Sequence, residues 1–144
     1  MKEYITRSAD ETEALAAQLA KELAQGCVIG FLGDLGAGKT AFTRGFVKGL
    51  GIDSEVSSPT FAICNDYRSD DKRVLHYDMY RIDGWDDLYS VGFFDAVESG
   101  AYILCEWSEN IFGALPDDAV IIKIEKLGEN ERKFQILKKS DFKI

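Results

Sequence analysis

Residues 33–40 read Gly33-Asp34-Leu35-Gly36-Ala37-Gly38-Lys39-Thr40 and satisfy the pattern G-x-x-x-x-G-K-[ST]. The chemistry of that spacing is anion capture. Glycines let the backbone curl until several N–H groups converge on one phosphate. Lys39 then reaches the β- and γ-phosphates, and the Thr40 hydroxyl is placed to ligate Mg²⁺. Two carboxylates suit the same chemistry. Glu106 follows the apolar run Ala101-Tyr102-Ile103-Leu104-Cys105, where a carboxylate on the metal of a phosphate site belongs. Asp78 stands near the end of Val74-Leu75-His76-Tyr77-Asp78-Met79-Tyr80, and reads equally as a turn residue or a site acid. Ser57-Ser58-Pro59-Thr60 adds hydroxyls and a rigid proline in a polar stretch, either a plain loop or a segment that senses the bound phosphate. His76, the only histidine, is expected as a packed, hydrogen-bonded residue rather than a ligand or base.

The neighbouring elements fit the loop. Cys27 to Leu32 is a short apolar run expected as a buried strand. Ala41 to Leu50 places Phe42, Phe46, Val47 and Leu50 at helical spacing, and Gly51 supplies the stop. The helix N-terminus adds its partial positive charge to the phosphate site. Gly36-Ala37-Gly38-Lys39-Thr40-Ala41 also satisfies the dinucleotide fingerprint G-x-G-x-x-[G/A], with Glu55 near the offset of a ribose-binding acid. It loses on spacing, because Gly33 to Leu35 separate its first glycine from the strand. Nothing in that fingerprint asks for Lys-Thr either.

The rest of the chain alternates strands and helices. Lys2 to Thr6 is a candidate strand, and Ser8-Ala9-Asp10-Glu11 a capping box. The stripe Leu15, Ala16, Leu19, Ala20, Leu23 predicts a helix to about Gln25-Gly26. Phe61–Tyr67 and Arg73–Tyr80 flank the polar turn Arg68–Lys72 and predict an antiparallel hairpin. Asp83 to Leu88 starts a helix whose apolar face continues through Val91, Phe93, Phe94 and Val97 to Gly100. Ala119–Ile124 and Lys133–Leu137 finish as strands across Gly128-Glu129-Asn130.

At 144 residues, with 46% hydrophobic and 29% charged residues, the chain reads as one soluble α/β domain spanning 1–144. No apolar run approaches a membrane span, and Met1-Lys2-Glu3-Tyr4 does not open a signal peptide. Cys27, Cys64 and Cys105 lack C-x-x-C spacing and are expected as free thiols in a reducing, cytoplasmic setting. A net charge of −8 argues against a protein that grips nucleic acid with its whole surface. Residues 123–144 nevertheless hold seven Lys/Arg against four Asp/Glu. Lys133, Lys138, Lys139 and Lys143 are expected to guard a solvated edge strand, the competing reading being a contact with RNA or an acidic partner.

Gly-Asp-Leu-Gly-Ala-Gly-Lys-Thr, Arg44-Gly45-Phe46, Ser58-Pro59-Thr60, His76-Tyr77-Asp78-Met79-Tyr80-Arg81, Glu106-Trp107 and Leu115-Pro116 occur in this order. Together they resemble the TsaE family (formerly YjeE), bacterial P-loop ATPases of tRNA threonylcarbamoyladenosine synthesis. The resemblance implies a three-layer P-loop NTPase-like domain, with a central, mostly parallel sheet and an antiparallel hairpin. It implies a cytoplasmic ATPase subunit that hydrolyses ATP slowly and docks on a catalytic pair, TsaB and TsaD, which modifies the adenosine beside the tRNA anticodon. Carried over by motif, Leu35, Gly36, Ala37, Gly38, Lys39, Thr40 and Ala41 hold the nucleotide, and Thr40 with Glu106 places Mg²⁺. Asp78 belongs to the hydrolytic site, Ser58-Pro59-Thr60 forms the switch, and the adenine is expected near Ser8 to Thr12. Ala41 stands where a second threonine is common. A nucleotide-gated binding module without useful hydrolysis, or a small-molecule kinase, remains the alternative. A kinase would need an Arg-rich lid, which the Arg-poor stretch after Gly84 does not supply. No glutamine water-positioner or arginine finger stands out, and a missing finger lowers the rate by ~10³–10⁵.

Overall fold

The structure is a computed structural model that describes residues 2–33, 38–54, 56 and 64–141. The elements are β1 (Lys2–Thr6), α1 (Ala9–Glu22), β2 (Val28–Gly33), α2 (Lys39–Gly49), β3 (Cys64–Arg68), β4 (Arg73–Asp78), α3 (Trp85–Ser90), α4 (Phe93–Glu98), β5 (Tyr102–Glu106), a 3-10 segment (Ser108–Ala114), β6 (Val120–Lys126) and β7 (Arg132–Lys138). Seven strands form one sheet in the order β1-β7-β6-β2-β5-β4-β3. The central strands β6, β2, β5 and β4 run parallel. Antiparallel pairing occurs at both flanks, in the expected hairpin β3–β4 and in β6–β7–β1.

Strand alternation divides the core in two. From β2, Ile29 and Phe31 enter the cluster under α1 and α2, whereas Val28 and Leu32 face the layer built by α3, α4 and the 3-10 segment. In the first cluster Phe42 of α2 meets Phe31 edge-on at 5.4 Å and stacks on Phe134 of β7 at 5.9 Å. Helix layers on both faces make this a three-layer α/β domain. The close approach of α1 and α2 depends on Gly45 and Gly49: a Cβ on Gly45 would lie 2.2 Å from the Glu13 carbonyl oxygen, and one on Gly49 would lie 2.7 Å from Ala17 Cα.

The capping box forms in part. Glu11 N–H donates to Ser8 Oγ, while the Glu11 carboxylate reaches back to Arg7 N–H instead of the Ser8 N–H. Helix α1 stops at Glu22, short of the expected Gln25-Gly26, because Leu23 turns extended. The single helix expected over 83–100 is two short ones. Gly92 takes a left-handed conformation (φ 72°) between them, and the apolar periodicity runs through the break. The reading of the basic tail as an edge strand is corrected: β7 is internal, between β1 and β6. Lys133 pairs with Glu3 of β1 at 3.8 Å, and Lys139 donates to the Leu115 carbonyl at 2.6 Å; Lys143 lies outside the described residues. Cys105 is buried and Cys27 and Cys64 are half-buried, all three as free thiols.

Candidate functional site

The parallel centre of the sheet decides where the site residues go. Strands β2, β4, β5 and β6 end at the same edge of the sheet, so whatever follows each of them converges there. Gly33 ends β2 in a left-handed conformation (φ 131°), and a Cβ on it would collide with the Ile124 carbonyl oxygen of β6. Only glycine fits both constraints. Residues 34–37, Glu55, Ser57, the expected switch Ser58-Pro59-Thr60 and residues 61–63 of the expected strand Phe61–Tyr67 lie outside the described residues.

The loop's far end is described. Gly38 (φ 100°) caps α2 without any side-chain hydrogen bond, leaving the first N–H groups of an eleven-residue helix free of a side-chain cap. Lys39 is the first helical residue and is 4% exposed. Among the described residues its Nζ has no hydrogen-bond or ion-pair partner and lies 5.2 Å from the centroid of the Trp107 ring. A buried ammonium without a counter-ion is costly, and the residues around it fit an anion such as a phosphate. Thr40 follows, half-buried in the same first turn.

Asp78 and Glu106 are register partners at the ends of β4 and β5. Alternation puts His76 and Asp78 on the same face as Val74, which belongs to the α1/α2 core, and puts Glu106 on the face of Leu104. All three side chains therefore project towards the layer that contains α2. His76 is fully buried, and its Nε2 lies 2.5 Å from Glu106 Oε2, a close polar contact without aligned hydrogen-bond geometry. Asp78 also serves as a turn residue: its Oδ1 accepts from Tyr80 N–H at 3.0 Å. The sequence left these two roles open; the structure shows the turn hydrogen bond and sets Asp78 in register with Glu106.

The connections are tied to one another. Met79 N–H donates to the Glu106 carbonyl, and Asn110 Nδ2 donates to the Met79 carbonyl, both at 3.0 Å. Trp107 takes a left-handed conformation (φ 60°), the only non-glycine to do so among the described residues. Such a conformation costs about 1–3 kcal/mol. Trp107 follows Glu106 directly, and its ring, which faces the Lys39 ammonium, packs against Tyr80 at 4.9 Å.

A pocket of about 130 Å³ opens on the other side of α2, lined by Ser8, Ala9, Thr12, Gly38, Ala41, Glu129, Asn130 and Arg132. The family resemblance expects the adenine near Ser8 to Thr12, and Ser8, Ala9 and Thr12 line this pocket; Gly128-Glu129-Asn130 reads only as a hairpin turn, and Arg132 carries no signal in the sequence. Arg132 Nη1 donates to the carbonyls of Gly128, Glu129 and Glu131, and its buried Nε has no partner among the described residues. No local pattern could have found it. The β6–β7 turn reaches the loop because β6 runs parallel beside β2.

Burial pushes the Cys27 thiol up to about 11, and it raises the Cys64 and Cys105 thiols as well. None of the three is set up as a nucleophile. Among the described residues no helix is long and apolar enough to cross a membrane.

The family described as "Threonylcarbamoyl adenosine biosynthesis protein TsaE" matches residues 6–134. A Bacillus subtilis protein described as tRNA threonylcarbamoyladenosine biosynthesis protein TsaE is 38% identical over 127 residues, covering 88% of this chain and 79% of the relative. A Rickettsia felis protein with the same description is 36% identical over 137 residues, covering 94% and 80%. The crystal structure of Bacillus subtilis YdiB superposes with a TM-score of 0.79 at 32% identity, covering 94% of this chain and 83% of that one. With a fold, a phosphate-loop helix and a family match that agree over nearly its whole length, this chain belongs to the TsaE family of tRNA threonylcarbamoyladenosine biosynthesis.

Proposed function

We propose that this protein is the ATP-binding, slowly hydrolysing P-loop subunit of a cytoplasmic tRNA threonylcarbamoyl-modification system, acting with a TsaB–TsaD-type catalytic pair. The observation that carries the reading is the buried Lys39 ammonium, without a hydrogen-bond or ion-pair partner among the described residues, at the sheet edge where Asp78 and Glu106 stand in register. In this reading the free N–H groups at the start of α2 and Lys39 hold the nucleotide phosphates, together with Leu35, Gly36, Ala37 and Gly38. The small side chain of Ala41 leaves room in the pocket whose far wall is Arg132. Thr40 and Glu106 would hold Mg²⁺, a donor set that leaves most of the metal's coordination to phosphate oxygens and water, as that ion prefers. Mg·ATP, when bound, supplies the phosphoryl group and the charge neutralisation for its transfer. Asp78 orients the attacking water and accepts its hydrogen bond, while His76 and the strained Trp107 hold Glu106 in place. Ser58-Pro59-Thr60 would sense the nucleotide state.

The test measures ATP hydrolysis by the protein alone and with the purified partner pair, with and without tRNA. Asp78→Asn and Glu106→Gln are expected to keep ATP binding within about threefold and to lose at least about a hundredfold in turnover. Normal hydrolysis by Asp78→Asn removes that residue from the mechanism. Many cycles of tRNA modification by a hydrolysis-dead, ATP-bound variant would instead make the protein a nucleotide-gated module. A phosphorylated small molecule among the products would make it a kinase.

A further inference from the structure

Between Ile82 and Ile122 the chain holds nine Asp and Glu and no Lys, Arg or His. That excess is larger than the net charge of the whole protein, −8. The segment includes β5 of the sheet, whose Glu106 faces the other way, and builds α3, α4 and the 3-10 segment, the layer opposite α1 and α2. Its outer surface carries aromatic rings that no core requires: Trp85 is 55% exposed and Tyr89 67%. These rings are fixed in place. Trp85 stacks on Phe94 (5.3 Å between centroids, 16° between planes), and Tyr89 lies 4.7 Å from the same ring. Phe94 in turn meets Phe93 edge-on at 5.7 Å, and the buried Phe93 meets Tyr77 of β4 at 5.7 Å. The result is an aromatic plate anchored through the layer into the sheet. Beside it, Asp83, Gly84, Trp85, Asp86 and Asp87 line an open concavity of about 410 Å³.

Exposed, rigid Trp and Tyr are the side chains that dominate protein–protein contacts, because they bury much area while losing little rotamer freedom. The carboxylates around them repel a phosphate backbone and attract cations. A guanidinium or ammonium entering the concavity would lie against the indole face within reach of carboxylates. We propose that the plate Trp85–Tyr89–Phe94, with Asp83, Asp86 and Asp87, is the docking surface for a protein partner that presents arginine or lysine around an apolar contact. This inference rests on the proposed function and assigns the surface to the catalytic pair named there. The plate follows Asp78 through the short connection Met79–Gly84.

The experiment titrates the purified partner pair with the wild-type protein, with Trp85→Ala/Tyr89→Ala and with Asp86→Lys/Asp87→Lys, by calorimetry at low and high salt. All substituted side chains are exposed, so both variants are expected to fold and to bind ATP as the wild type does. Each variant is expected to raise Kd at least about tenfold. Wild-type binding should weaken about threefold or more from about 50 to about 300 mM NaCl, and the charge-reversed variant should lose that dependence. Unchanged affinity in either variant, with the wild type binding, overturns the proposal. So does wild-type self-association, or binding to tRNA alone, that the Trp85→Ala/Tyr89→Ala variant abolishes. A wild type that never binds the pair brings down the partner reading and the surface with it, an outcome distinct from variants that bind normally.

Discussion

His76 Nε2 lies 2.5 Å from Glu106 Oε2 although the two residues are thirty positions apart and sit on different strands, His76 opposite Leu104 and Glu106 opposite Asp78. The side chains meet on the diagonal of one sheet face. His76 is fully buried, so the contact is the means by which a carboxylate is held at 8% exposure. His76→Ala is expected to lose about 2–4 kcal/mol of stability, from the cavity and from the buried oxygen left without its contact. Urea unfolding measures it, and His76→Gln, which keeps a donor, should lose less. An unchanged midpoint for His76→Ala would show that the contact contributes nothing.

Lys39 supports the opposite expectation for stability. Its buried ammonium has no hydrogen-bond or ion-pair partner among the described residues, so removing it relieves a desolvation cost. Lys39→Ala should abolish ATP binding by calorimetry and unfold at the same or a higher urea concentration, with a gain of about 1 kcal/mol. A loss of stability in the absence of ATP would mean that the ammonium is compensated in the free protein.

Gly45 touches the backbone of α1, where a Cβ would stand 2.2 Å from the Glu13 carbonyl oxygen and 2.5 Å from Glu13 Cα. Backbone atoms of a packed helix cannot move aside cheaply. Gly45→Ala is expected to lose about 3 kcal/mol by forcing α1 and α2 apart. Gly113, with open space around it, is the control, and Gly113→Ala should stay within about 0.5 kcal/mol of wild type.

Cys27 predicts a pH dependence. Burial raises its thiol from the ordinary 9.0 to about 11. The folded protein therefore holds this proton more tightly than the unfolded chain does. Its stabilising contribution is complete below pH 9 and is lost as pH rises from about 9 to about 11. Cys27→Ser should flatten the fall in stability across that window. Alkylation at pH 8 should be slower at Cys27 than for a free thiol in the unfolded chain. A Cys27 that reacts as fast as an unfolded thiol would contradict the burial.

Local pattern was enough wherever one segment carries its own signal. The strand before the phosphate loop, the helix after it, the Ser8 cap, the β3–β4 hairpin and the two strand-end acids are each written in a short run of residues. It failed where neighbours in space decide. Gly92 breaks α3 from α4, yet the apolar spacing on both sides reads as one helix. The lysine-rich β7 resembles an edge, yet β1 pairs outside it. Arg132 sits in an ordinary hairpin and reaches the pocket only through the parallel pairing of β6 with β2.

The amino-acid sequence by itself determined which side chains are on offer: Lys39 and Thr40 after a glycine-rich run, the carboxylates of Asp78 and Glu106 at the ends of apolar runs, and an acidic body. These are properties of residue type and short spacing, and they survive without knowledge of the fold. Only the tertiary structure decided which residues meet. Parallel strands bring the ends of β2, β4, β5 and β6 to one edge, the diagonal of β4 and β5 joins His76 to Glu106, and the stacking on Phe94 turns two surface aromatics into one plate. For the site those contacts span twenty-eight to more than ninety residues and depend on sheet order, which no local period encodes.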